Sequence, residues 1–206
     1  RLVLAAALAL PAFVASPQGT VLQVAAGSEH TCAVVAGGAV RCWGDNSSGQ
    51  LGDGTNMNRS TAVDVVGLSL PVAAVATGAY HSCALSAAGG VKCWGKNSHG
   101  QLGDGADGGH STAVDVVGLS SGATAIAAGY NHTCALTTNG AMLCWGSNST
   151  YQLGDGTYAN RSTPGAVHGL SAGVVGIAAG YENSAAIMSG GRVKYWGRDG
   201  ASEPQC

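Results

Sequence analysis

Ala25-Ala26-Gly27-Ser28-Glu29-His30-Thr31-Cys32-Ala33 is written again 51 residues later as Ala76 to Ala84, again as Ala127 to Ala135, and in a looser form as Ala178 to Ala186. Arg41-Cys-Trp-Gly keeps the same interval at Lys92 and Leu143, and at Lys194 it becomes Lys-Tyr-Trp-Gly, with no residue inserted or lost between copies. Gly49-Gln-Leu-Gly-Asp-Gly returns at Gly100 and, with tyrosine in the first place, at Tyr151. A gap-free period of this length means stacked supersecondary units, each too small to bury its apolar face alone. The chain is therefore one array, divided as a leader-like segment 1–20, repeats 21–71, 72–122 and 123–173, a partial repeat 174–197 and a tail 198–206.

Within one unit the local patterns are all of strand type. Val21 to Ala26 and its copies are short runs rich in Val, Ile and Ala that end at a glycine. His30 to Val35 and Ala39 to Trp43 flank a glycine turn and read as a hairpin, and Ala62 to Val66 with its copy Ala113 to Val117 supplies a fourth strand. Four short strands per unit, with no helical period, predict an all-β chain: a β-propeller of 51-residue four-stranded blades, about 3.5 of them, in a partial or open ring. Gly52-Asp53-Gly54 and its copies predict a tight turn closed by the aspartate's own carboxylate.

Seven cysteines include three couples ten residues apart, Cys32 with Cys42, Cys83 with Cys93 and Cys134 with Cys144, and Cys206 stands alone. Members of a couple face each other across the predicted hairpin, within reach of a disulfide. The fourth unit carries Ala185 and Tyr195 in these places and loses both sulfurs together, which favours mutual bonding over buried free thiols. A metal reading would add His30, His81 and His132, each two residues before a cysteine, but a unit then offers three ligands where zinc takes four. A calcium loop starting at Asp45 fails because Lys96 and Ser147 hold its place in the other units. No metal and no cofactor are expected.

Arg1 to Pro11 runs from a positive charge through an apolar stretch toward small residues, the order of a secretory leader; a first buried strand or helix is the alternative. Export would suit disulfides. No later apolar run reaches the length of a membrane span. Charged residues are 10% of the chain and the net charge is −2, which offers no basic stripe for nucleic acid.

Gly27-x-x-His-Thr-Cys-Ala, Cys42-Trp-Gly-x-Asn, Gly49-Gln-Leu-Gly-Asp-Gly-Thr and Arg59-Ser-Thr, in this order, resemble the repeats of the regulator of chromosome condensation family over about Val21 to Gly197. The resemblance implies a seven-bladed propeller and is closest to a secreted bacterial branch in which the Cys-Trp-Gly form is common. The family's jobs differ: a eukaryotic member is a nuclear nucleotide exchange factor for a small GTPase, and a bacterial relative is a secreted inhibitor of β-lactamases. Fold therefore does not name function here. A closed ring would need about twice the blades present, so the chain reads as a fragment of a longer gene, with an open arc or two chains completing one ring as alternatives.

Trp43, Trp94, Trp145 and Trp196, one large aromatic per unit, are expected to pack between adjacent sheets, and His30, His81 and His132 to tie a strand to a neighbouring loop. No catalytic set emerges. The expected function is a non-enzymatic, exported module that binds another protein through rim loops, at positions that vary while the frame repeats. These are Glu29, Tyr80, Asn131 and Glu182 before the second strand, and Asp45, Lys96 and Ser147 after the tryptophan. Tyr151, Tyr158, Tyr130, Met57, His99 and His110 add side chains of interface type. A sugar-binding or hydrolytic propeller is the alternative, and GTPase exchange a weaker one.

Overall fold

Short apolar strands punctuated by left-handed glycines can satisfy their backbone groups only by pairing, and the chain does so locally. The computed structural model describes residues 19–68, 71–198 and 204. Most of the leader-like segment, Cys206 and nearly all of the tail lie outside the described residues.

The first sheet comprises β1 (Val21–Ala26), β2 (His30–Val35), β3 (Val40–Gly44) and β4 (Arg59–Asp64). The second is β5 (Val72–Thr77), β6 (His81–Ser86), β7 (Val91–Gly95) and β8 (His110–Asp115). The third is β9 (Ala123–Ala128), β10 (His132–Thr137), β11 (Met142–Gly146) and β12 (Arg161–Ala166), and the last is β13 (Val174–Ala179), β14 (Asn183–Met188) and β15 (Val193–Gly197). Every sheet is an antiparallel meander in chain order, three with four strands and one with three, and no helix occurs among the described residues. This is the blade arrangement of a β-propeller.

The fourth strand corrects the sequence reading. It begins at Arg59 and His110, three residues before the apolar run, and ends at Asp64 and Asp115. Gly44 pairs with Arg59 and Gly95 with His110, so the polar Arg-Ser-Thr segment enters the ladder and Val65 and Val66 leave it. Edge pairing, not burial, sets this strand's bounds.

Cys32 faces Cys42 in register, and likewise Cys83 faces Cys93 and Cys134 faces Cys144. The sulfurs lie 2.10, 2.13 and 2.11 Å apart. Ala185 faces Tyr195 at this place in the last sheet.

The core lies between sheets. Val34, Val40 and Leu51 of the first blade meet Val72, Val75 and Trp94 of the second, and the same layer recurs at the next two junctions. On the outer face of the first sheet, Val24 is 56% exposed while its copy Val75 is 2% exposed. Ile187, Val193 and Tyr195 are exposed on the far face of the last sheet. Both end faces are thus apolar and uncovered among the described residues.

Candidate functional site

The frame that carries the variable residues is built from backbone carbonyls. Gln50 is wholly buried, and its carbonyl accepts the indole N–H of Trp94 at 2.9 Å and the hydroxyl of Ser82 at 2.9 Å, both from the next blade. Gln101 does the same for Trp145 and Thr133, and Gln152 for Trp196 and Ser184. Both lone pairs of each carbonyl are used, so a polar group in the core carries no desolvation debt. Trp94, Trp145 and Trp196 are fully buried at the junctions. Trp43 departs from the expectation: no sheet covers that side of the first blade among the described residues, and its indole is half-buried beside a hollow with Ser60, Thr61 and Ala62.

Each histidine joins the same relay. His30 Nε2 lies 2.9 Å from Ser82 Oγ, His81 Nε2 2.9 Å from Thr133 Oγ1, and His132 Nε2 2.9 Å from Ser184 Oγ. Because each hydroxyl spends its proton on a glutamine carbonyl, the imidazole donates through Nε2, and Nδ1 is left with no partner. Burial lowers the pKa of His30 to about 4, of His81 to about 3 and of His132 to about 4, so all three are neutral near pH 7. The ring of His30 rests on Gly27, where a Cβ would stand 2.5 Å from Cε1 and 2.4 Å from the carbonyl oxygen of Gly78. Gly52 has φ of +72°, and a Cβ there would be 2.8 Å from the Trp94 indole. Both glycines are thus required by close approach, and the second by its backbone as well.

The loop after each tryptophan is clasped by an asparagine. Asn46 Nδ2 donates to Asp53 Oδ1 and to the carbonyl of Thr55, and its Oδ1 accepts from the amide of Leu51. Asn97 and Asn148 repeat the clasp. Asp53 also closes its own turn onto Thr55 and pairs with Arg59 at 2.7 Å. Burial pushes its carboxyl upward, but the hydrogen bonds of Thr55, Arg59 and Asn46 outweigh it and hold the pKa below the ordinary value. His110 pairs with Asp104 where the other units use arginine. Neither the asparagine clasp nor this contact is singled out by the sequence reading; Asn and Asp recur at a fixed offset in three units, with arginine following in two of them and histidine in the other, and that was the available signal.

On this frame the two sets of variable residues come together. The amide of Asp45 donates to the carbonyl of Glu29, Lys96 to Tyr80, Ser147 to Asn131 and Arg198 to Glu182, so every blade presents one pair at the same end of the array. Tyr80 and Tyr130 meet edge to face at 6.0 Å, Tyr130 and Tyr181 lie 4.3 Å apart, and Lys96 Nζ stands 5.3 Å from the Tyr80 ring centre. The neighbouring Tyr80 hydroxyl is the first cause that raises the Tyr130 phenol above its ordinary pKa. A hollow of about 260 Å³ opens at this end, lined by equivalent residues of all four blades, among them Ser28, Ala79, Tyr130 and Tyr181.

Tyr151 and Tyr158 stack farther out at 3.7 Å, and Tyr151 adopts φ of +63° where the other units have glycine. A bulky residue there costs on the order of 1 kcal/mol or more. Met57 and Tyr158 are exposed, and His99 approaches Asn160 at 3.4 Å. Five of the six tyrosines belong to turns and loops of this one end; Tyr195 is the exception, within β15. Ser147 is a correction: it is 7% exposed, because its short side chain lies under the rim where its amide is bound to the Asn131 carbonyl.

A row of antiparallel meanders, three of four strands and one of three, joined by tryptophan and hydroxyl contacts to a shared carbonyl and by histidine to that hydroxyl, and varied at one rim, defines a propeller-blade repeat protein. Models of the Regulator of chromosome condensation (RCC1) repeat match residues 21–50, 72–101 and 123–152 in one form, and 37–85, 88–136 and 139–187 in another. The chain belongs to the regulator of chromosome condensation (RCC1) repeat family. It is 34% identical over 183 residues to RCC1 domain-containing protein RUG3, mitochondrial, of Arabidopsis thaliana, covering 84% of this chain and 41% of that protein. It is 36% identical over 185 residues to probable E3 ubiquitin-protein ligase HERC4 of Homo sapiens, covering 87% of this chain and 18% of that one. Human WBSCR16 superposes with a TM-score of 0.79 at 24% identity over 90% of this chain and 51% of its own. Prp20p of Saccharomyces cerevisiae, described with its binding properties to Gsp1p and histones, gives 0.73 at 26% identity over 90% and 49%. The chain thus spans less than half of these curated relatives and about half of these structures.

Proposed function

We propose that this blade array is a non-enzymatic, exported module that binds another protein at the end bearing Tyr80, Tyr130 and Tyr181. The observation that carries the reading is the pairing of variable residues, Glu29 with Asp45 and Tyr80 with Lys96 and so on around the arc, upon hydrogen bonds that do not change from blade to blade. Tyrosines on an invariant support, half-buried at Tyr80 and Tyr130 and exposed at Tyr181, suit protein recognition, since they give large contact area at low entropy cost. The repeat histidines are held neutral and committed to the junctions, which favours binding over proton-transfer chemistry. Cysteine couples at bonding distance support an oxidising destination.

The apolar end faces are suited to further blades of the same kind.

The test immobilises the whole chain beside a Tyr130→Ala, Tyr181→Ala variant and an Arg41→Ala, Lys92→Ala control altered on the third strands of the first two blades. A protein retained by the wild type and the control, and lost by the rim variant at unchanged melting temperature, is expected. Turnover of a glycoside or ester that depends on rim residues would replace the binding-module reading with the hydrolytic one.

A further inference from the structure

The middle of the rim differs from its two flanks in charge. Glu29 and Asp45 make the first blade acidic, and in the last blade Glu182 and Arg198 neutralise each other at 2.9 Å. Between them stands Lys96, which forms no ion pair among the described residues and whose contact is with the Tyr80 ring. Asn131 accepts from Gln101 through Oδ1 at 3.4 Å, so its amide N–H groups stay available. The three phenols gather beside these donors, close enough for Tyr80, Tyr181 and Lys96 to act on the Tyr130 hydroxyl. Tyr130 and Tyr181 line the mouth of a hollow of about 260 Å³, Tyr80 meets the Tyr130 ring from beside it, and Lys96 stands over Tyr80, so that one ammonium, one amide and three hydroxyls are grouped along this edge of the rim.

We propose that this centre, from Lys96 and Tyr80 across Tyr130 and Asn131 to Tyr181, receives a carboxylate of an acidic protein segment. The inference rests on the protein-binding reading above and names the chemistry of the partner. A carboxylate needs one cation and a few donors in fixed places, and that is what the centre offers. A phosphate or sulfate group is served by several cations or a bidentate arginine fork, and here a single lysine stands with no guanidinium free beside it. A basic segment would meet Lys96 head-on. Glu29 and Asp45 act as the opposing element: they repel an acidic chain from the first blade and direct it over the tyrosines.

The experiment titrates the whole chain with acetyl-Gly-Glu-Asp-Glu-Gly-amide and with its neutral counterpart acetyl-Gly-Gln-Asn-Gln-Gly-amide, read by calorimetry and by amide shifts. The acidic peptide is expected to bind, to weaken with added salt, and to lose about tenfold in Lys96→Met while Lys96→Arg keeps most of the affinity. Tyr130→Phe should lose a few-fold, and both lysine variants should melt as the wild type does. Equal binding of the neutral peptide, no binding at millimolar acidic peptide, or an unchanged affinity in Lys96→Met would overturn the proposal. So would tighter binding of a basic peptide, inorganic phosphate or a sulfated glycan. A partner held at the rim but indifferent to Lys96→Met and to acidic peptide would sink this inference and leave the protein-binding reading standing.

Discussion

Acidification should loosen the blades well before it touches the carboxylates. His30, His81 and His132 are neutral in the folded chain, with pKa lowered by burial to about 4, 3 and 4 from an ordinary 6.5. Folding therefore favours the unprotonated form; the stabilisation is complete above 6.5 and is lost as pH falls toward the folded values. At pH 5 each histidine withdraws about 2 kcal/mol, roughly 6 for the three, and the slope between is about 4 kcal/mol per pH unit for three protons. That is comparable with the whole stability of an ordinary domain, roughly 5–15 kcal/mol. Asp45, Asp53 and Asp155 have lowered values, so their loss falls below about pH 4 and does not blur the window. Melting followed by circular dichroism at steps from about pH 7.5 to 4.5 reads the effect. The wild type should lose melting temperature from about pH 6.5 downward. A His30→Gln, His81→Gln, His132→Gln variant, in which the amide can still donate to the next blade's hydroxyl, should be nearly flat to about pH 4.5. A wild-type profile as flat as the variant's, or a variant that falls as steeply as the wild type, refutes the reasoning.

Gly103→Ala should cost about 2–3 kcal/mol, since it forces φ of +72° on alanine and sets a Cβ 2.6 Å from the Trp145 indole nitrogen; denaturant unfolding measures it. Trp94→Ala should cost about 3–5 kcal/mol and Trp43→Ala roughly 1, because the first indole is sealed between two sheets and donates to Gln50 while the second lies half open; a reversed order in urea melts would contradict the junction geometry. Reduction should remove about 2–3 kcal/mol per couple, and iodoacetamide should label none of the six hairpin cysteines in non-reduced, denatured protein. Arg59→Ala should cost more than Arg41→Ala, about 1–2 against less than 1 kcal/mol, since Asp53 is 7% exposed and Asp64 is 71% exposed.

Much of the blade could be read along the chain because its signals are local. The hairpin from His30 to Gly44 shows itself in apolar runs about a glycine turn, and the one-to-one loss of both sulfurs at Ala185 and Tyr195 marks residues that the register places opposite each other. The junctions were harder. His30 reaches Ser82, and Trp94 reaches the carbonyl of Gln50, across 52 and 44 residues, and no local period records a contact with the next blade. A trace was there: a hydroxyl follows the histidine position in every unit, as Thr31, Ser82, Thr133 and Ser184. The salt bridges of Arg41 with Asp64 and Lys92 with Asp115 left a similar trace, since the third unit replaces both ends at once with Leu143 and Ala166. The fourth strand was misplaced because its first half is polar, and an edge strand gains its stability from ladder bonds and ion pairs instead of burial. At the rim, Ser147 could not be known as buried, because exposure there depends on how neighbouring turns lean together.

The most direct test of the rim as the recognition surface is site-specific photo-crosslinking. A photoreactive phenylalanine analogue placed at Tyr130 is compared with one at Asn139, in the turn at the opposite end of the third blade. In a total protein extract of the source cells and their medium, position 130 should yield one protein adduct that acidic peptide competes away, and position 139 should yield none. Adducts of equal strength at both ends, or only at 139, would contradict it.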